Sequence, residues 1–139
     1  TLGNLGMAYG ELGDAAKKRK YVTHAAKIFN VAEKVRAFGA ESKKAGEALF
    51  ERGSAYQDLG DYAKARDDYE RALAIKERAY GRDHPDVAIT LGNLGMAYGE
   101  LGDAAKKREY VTRTLKIFEG AYGPDHPHAT FYREELAEM

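Results

Sequence analysis

The sequence predicts an all-α solenoid, three helical hairpins stacked in a row and followed by a C-terminal capping helix. Three observations carry that expectation. First, the nineteen residues TLGNLGMAYGELGDAAKKR at positions 1–19 return unchanged at 90–108. Second, independent markers recur in step. Leu-Gly-Asp occurs at 12–14, 59–61 and 101–103, and Gly-x-Ala-Tyr begins at Gly6, Gly53 and Gly95, both with spacings of 47 and then 42 residues. Tyr-Gly-x-Asp-His-Pro occurs at 80–85 and 122–127, again 42 apart. Third, the apolar residues inside each unit follow the helical period. A unit of this length cannot bury its apolar face alone, so neighbours must stack against it.

The third unit shows the local logic. Leu91, Leu94, Ala97, Tyr98 and Leu101 fall on one face of a 3.6-residue helix. Leu101-Gly102-Asp103 then stops that helix and starts the next, Gly102 supplying a left-handed residue and Asp103 an oxygen for free N–H groups. Val111, Leu115, Phe118 and Tyr122 line the second helix. Gly123 ends it, and Asp125-His126-Pro127 opens another by placing a capping side chain before a proline tolerated in the first turn. The divisions expected are 1–39, 40–81 and 82–123 for the three repeats and 124–139 for the cap, all in one domain. In unit one, five extra residues fall around 30–36, because Ala37-Phe38-Gly39 lies 14 residues before Gly53 just as Ala79-Tyr80-Gly81 lies before Gly95. This predicts one long helix over roughly 15–38. Residues 126–138 read as an unpaired last helix whose Arg133, Glu134, Glu135 and Glu138 make one side polar. The start at Thr1, inside a repeat, reads as a piece of a longer array.

Composition narrows the function classes. The chain has 139 residues, and its 22 basic and 22 acidic side chains cancel, which disfavours nucleic acid and an anionic membrane as partners. There is no Cys, which removes disulfides, thiolate catalysis and sulfur-ligated zinc and fits a reducing, cytoplasmic setting. No apolar run or signal-peptide pattern points to a membrane. His84, His126 and His128 lie at helix starts in two different junctions and read as helix-start chemistry rather than metal ligands; His24 stands alone. Lys17-Lys18-Arg19-Lys20 reads as a solvated face, since its copy, Lys106-Lys107-Arg108-Glu109, is broken by an acid. The glycines at 3, 6 and 10 and at 92, 95 and 99 imitate a phosphate loop but lie inside a helical pattern without the required lysine. Gly6 and Gly95 read as close-approach positions, and the other glycines as soft backbone or contact points. Tyr9, Tyr56, Tyr69 and Tyr98 read as core. Nothing in the spacing argues for a catalytic set or a cofactor, so an enzyme is not expected.

With these residues in hand, the chain resembles the tetratricopeptide repeats, in particular the 42-residue type of kinesin light chains. The large residue, Leu-Gly, Tyr pattern is met by Leu2, Leu5-Gly6 and Tyr9 and by Leu91, Leu94-Gly95 and Tyr98, and the later Ala-x3-aromatic element by Ala65 and Tyr69. The stretch from Ala79 to Gly95 is similar to the linker and first helix of the kinesin-light-chain type. Arg52 departs from the pattern's Leu, and Lys18 and Lys107 from its small Ala. Their stems are expected to cover the contact while the charged heads reach water.

The resemblance implies a right-handed superhelix whose first helices line a concave groove that holds a partner segment. On that register the groove residues are Asn4, Met7 and Glu11 with Gly3 and Gly10; Phe50, Glu51, Ser54, Gln57 and Asp58; and Asn93, Met96 and Glu100 with Gly92 and Gly99. Asn4 and Asn93 correspond to a family asparagine that grips a peptide backbone, with Glu51 in its place in unit two. The acids Glu11, Glu51, Asp58 and Glu100 favour a neutral or basic protein or peptide, and Met7, Met96 and Phe50 offer adaptable apolar contact. The reading is therefore a protein-interaction scaffold. Its alternatives are a self-associating scaffold, a homodimer through the uncapped N-terminal face, or an engineered repeat protein without a ligand.

Overall fold

The computed structural model describes residues 30–139, all of whose regular structure is helical. The helices are α1 over 30–38, α2 (Lys43–Asp58), α3 (Tyr62–Tyr80), α4 (Pro85–Glu100), α5 (Ala104–Tyr122) and α6 (Pro127–Ala137). α2 pairs with α3 and α4 with α5 as antiparallel hairpins, α4 also lies on α3, and α6 lies on α5. α2 and α4 touch as well, so the leading helices of successive hairpins run side by side. The fold is an all-α solenoid, as the sequence predicts. α2 and α4 each have 16 residues, and α3 and α5 each have 19. α1 ends at Phe38, before Gly39 at φ +97°. The beginning of the long helix expected in unit one, together with Tyr9, His24 and the 17–20 basic run, lies outside the described residues.

The hairpin turns explain why Leu-Gly-Asp recurs. Gly60 at φ +82° and Gly102 at φ +88° adopt the left-handed conformation that closes a helix C-terminus. Asp61 N–H then donates to Tyr56 O at 2.9 Å, and Asp103 N–H to Tyr98 O at 2.9 Å. The same aspartates begin the following helix, with Asp61 Oδ1 accepting from Lys64 N–H at 3.2 Å and Asp103 Oδ1 from Lys106 N–H at 3.0 Å. Three residues thus end one helix and cap the next, leaving no length for anything but an antiparallel return.

Between units the cap is the imidazole. His84 Nδ1 accepts from Asp86 N–H at 3.0 Å, and His126 Nδ1 from His128 N–H at 3.2 Å. Each ring stacks on the tyrosine that ended the previous helix, with centroids 4.8 Å apart for Tyr80–His84 and 4.6 Å for Tyr122–His126. The recurring Tyr-Gly-x-Asp-His-Pro is therefore one joint. Replacing His84 with alanine should lower stability by about 1 kcal/mol in urea denaturation, while asparagine, which can also accept, should recover most of it.

Among the described residues the core is a row of three clusters. Val31, Ala48, Leu49, Ala72 and Ile75 form the first, Ala65, Tyr69, Leu94, Ala97 and Tyr98 the second, and Val87, Leu91, Val111, Ile117, Phe118, Ala129 and Tyr132 belong to the third. Phe50 bridges the first two; Leu73 and Tyr110 bridge the last two. Gly95 permits this packing, because a Cβ there would meet Tyr110 Cβ and Val111 Cγ2 at 3.2 Å. Of the tyrosines expected in the core, Tyr69 and Tyr98 are buried. Tyr56 differs. It is half-buried, with Arg52 and Lys64 over its ring.

Of the three pattern-breaking cations, Lys18 lies outside the described residues, and the other two differ from expectation. Arg52 does not send its head to water: Nε and Nη2 donate to Asp68 Oδ2 and Oδ1 at 2.7 and 2.6 Å, with the Asp68 side chain only 5% exposed. The hydrogen bond to that carboxylate raises the Arg52 pKa against the opposing effect of burial. Lys107 lays its stem across Gly99, as expected, but its Nζ lies 3.4 Å from Glu135 Oε2 on α6. Lys76, unlike those two, is buried, with its Nζ over the Phe50 ring at 4.3 Å. Desolvation lowers its pKa. Its charged form is thus penalised in the folded state at neutral pH, a cost that fades as pH rises toward the ordinary lysine value. Lys76→Met should raise stability at pH 7 by about 1 kcal/mol, read as a higher urea midpoint.

Candidate functional site

The leading helices α2 and α4 present the residues the groove register names. On α2, Glu51 and Asp58 are exposed, while Phe50, Ser54 and Gln57 are half-buried. On α4, Asn93 and Met96 are half-buried and Glu100 is exposed. Asn4, Met7 and Glu11 lie outside the described residues. α2 and α4 touch, which brings the two sets onto neighbouring helices.

Their chemistry divides into committed and uncommitted side chains. Phe50 is occupied by packing: its ring lies 5.7 Å from that of Tyr69 and carries Lys76 Nζ on its face. Ser54 and Gln57 are tied from below. The Tyr69 hydroxyl lies 3.0 Å from Ser54 Oγ and 2.9 Å from Gln57 Oε1. A buried phenol therefore fixes two polar side chains at the surface of α2. Asn93, Met96, Glu51 and Glu100 have no hydrogen bond, ion pair or ring contact among the described residues. Their polar groups are available to a partner.

Sequence reasoning missed Tyr69 as the anchor of this face, although its place in the Ala-x3-aromatic element was visible. Burial raises its pKa to about 12. Because the folded value exceeds that of the unfolded chain, its stabilising contribution is complete below pH 10 and is lost as pH climbs to about 12. Tyr69→Phe should remove that part of the alkaline loss and cost about 1 kcal/mol at pH 7, from denaturation curves at both pH values. Tyr98, which donates to Glu70 Oε1, is displaced upward too, chiefly by burial.

α4 also carries two glycines on its groove register, Gly92 and Gly99. Neither is bare. A Cβ at Gly92 would come within 2.5 Å of Tyr132 Cζ, and one at Gly99 within 2.6 Å of Lys107 Cδ. Tyr132 of α6 and Lys107 of α5 thus cover α4 next to Asn93 and Met96; the Lys107 stem was expected there, whereas the Tyr132 contact has no sequence signal in unit three itself. His84 and His126 serve as caps, and among the described residues no three His, Cys, Asp or Glu side chains are placed to hold a metal. Among those residues, too, no helix is long and apolar enough to cross a membrane.

Known proteins place this architecture. Two family models, both of the tetratricopeptide repeat, match residues 45–106 and 87–128. The fold is similar to the crystal structure of nearly identical TPR-like repeats from a Podosopora anserina protein described as a kinesin light chain, with a TM-score of 0.74 and 20% identity over 99% of this chain and 63% of that one. A singly substituted form of the same repeats gives a TM-score of 0.73 at 20% identity, covering 99% and 62%. The chain thus spans less than two thirds of the length of those structures. No curated protein matches it. On the sequence of its repeats and on the stacking of its hairpins, the chain belongs to the tetratricopeptide-repeat family.

Proposed function

We propose that the chain is an interaction scaffold that holds a neutral-to-basic peptide segment of a partner protein along α2 and α4. Repeats of this family form protein–protein interaction scaffolds in general. The observation that carries the finer reading is the uncommitted set on those helices. Glu51 and Glu100 stand exposed without an ion pair, and the Asn93 amide, able to donate and accept at once, has no partner among the described residues. Met96 adds an apolar, adaptable position. An extended segment would take its backbone hydrogen bonds from Asn93 and place lysine or arginine near the carboxylates.

The test is selection from a random peptide display library, followed by affinity measurement on charge-reversed chains. Enriched peptides should carry a net positive charge and bind more weakly at higher salt. Glu51→Lys with Glu100→Lys should reduce their affinity about tenfold or more, through lost steering and direct repulsion. Enrichment of acidic peptides, or affinities unchanged by the double reversal, would refute the reading.

A further inference from the structure

A second site emerges when units two and three are superposed by their 42-residue register. In unit two, Arg78 in the last turn of α3 pairs with Glu41 in the turn that precedes α2. Adding 42 to each position gives Gly120 on α5 and Asp83 in the turn that precedes α4. The acid is retained and its arginine is gone. What remains is a cavity of about 370 Å³ lined by Asp83, Lys116, Ile117, Gly120 and Ala121. A Cβ on Gly120 would meet nothing within 4 Å, and the Asp83 carboxylate is exposed with no ion pair or hydrogen bond among the described residues.

We propose that this cavity is a socket for an arginine side chain of a partner protein, seated where unit two carries its own Arg78. Three features fit that occupant. Gly120 stands where unit two has Arg78, and the space beside it is open. Ile117 and Ala121 offer apolar wall to a methylene stem, and Asp83 offers the planar acceptor that a guanidinium engages with two parallel bonds. The end of α5 has no basic residue in its last turn, unlike the end of α3, so its carbonyls also favour an incoming cation. Lys116 opposes the occupant; unit two has Ala74 there. No lining residue is shared with the peptide-holding face, so this socket stands or falls apart from it.

Nuclear magnetic resonance titration of the whole chain with acetyl-Gly-Arg-Gly-amide tests the assignment, with the lysine peptide in parallel. The arginine peptide should shift the amides of Asp83, Ile117, Gly120 and Ala121 saturably, and bind more tightly than the lysine peptide by about fivefold or more. Asp83→Asn should weaken binding and Lys116→Ala should tighten it. Gly120→Arg should abolish it, with the melting temperature maintained because a helical glycine is replaced by a better helix former facing open space. Equal shifts from both peptides, or binding that survives Gly120→Arg, would overturn the proposal. So would shifts of the same amides on concentrating the chain without peptide, because a second copy would then be the occupant.

Discussion

Arg52→Leu alone should lower the unfolding free energy by about 3 kcal/mol, and adding Asp68→Tyr should return most of it. Asp68 is buried and answered by two bonds from one guanidinium, so removing Arg52 leaves a carboxylate with neither water nor a partner. Unit three shows how the same two places are filled without charge. Leu94 stands where Arg52 does, and Tyr110 where Asp68 does. The neighbouring glycines are equivalent as well: a Cβ on Gly53 would lie 3.3 Å from Asp68 Cβ, and one on Gly95 would lie 3.2 Å from Tyr110 Cβ. The double substitution therefore moves an existing packing solution by one repeat. A double-mutant cycle in urea should give a coupling energy of about 2 kcal/mol or more, and additive losses would argue that the pair is not one exchangeable unit.

Tyr132→Ala should cost about 3 kcal/mol and release α6 while leaving α2 and α3 intact. The ring fills the notch over Gly92 and stacks on Phe118 with centroids 6.0 Å apart. Beyond Tyr132, α6 is held by buried Ala129, half-buried Leu136 and the polar reach of Arg133 to Pro124 O at 2.9 Å and to Glu119. Because contacts in a stack run only between neighbours, hydrogen exchange should accelerate over 127–137 first. The register supplies a rescue. The first junction places Phe50 where the second has Gly92, and Thr90 where the second has Tyr132. Gly92→Phe should clash on its own, whereas Gly92→Phe combined with Tyr132→Thr should recover part of the loss by copying the first junction.

These swaps mark what was legible in the sequence. Hairpin boundaries were readable because Leu-Gly-Asp supplies a left-handed stop and a cap in consecutive residues, and that chemistry is local. The His-Pro joints were readable as helix starts for the same reason, although the capping atom proved to be the imidazole nitrogen. The fate of Arg52 was not readable: its partner is 16 residues away on the facing helix, and a pattern that assigns leucine to that place says nothing of a compensating Asp68. Phe50 and Gly92 share a repeat position, yet one ring fills its own junction and the other junction borrows Tyr132 from α6. Size complementarity between different helices sets that choice. In the candidate site, the register gave the named positions on α2 and α4, while Tyr69 beneath Ser54 and Gln57 emerged only from the packed structure.

The most direct test of the groove assignment is a nuclear magnetic resonance map of the chain bound to a display-selected basic peptide. The account predicts that perturbed signals cluster at Glu51, Ser54, Gln57, Asn93, Met96 and Glu100. Perturbation confined to α5 and α6, with those six residues unmoved at saturation, would contradict it.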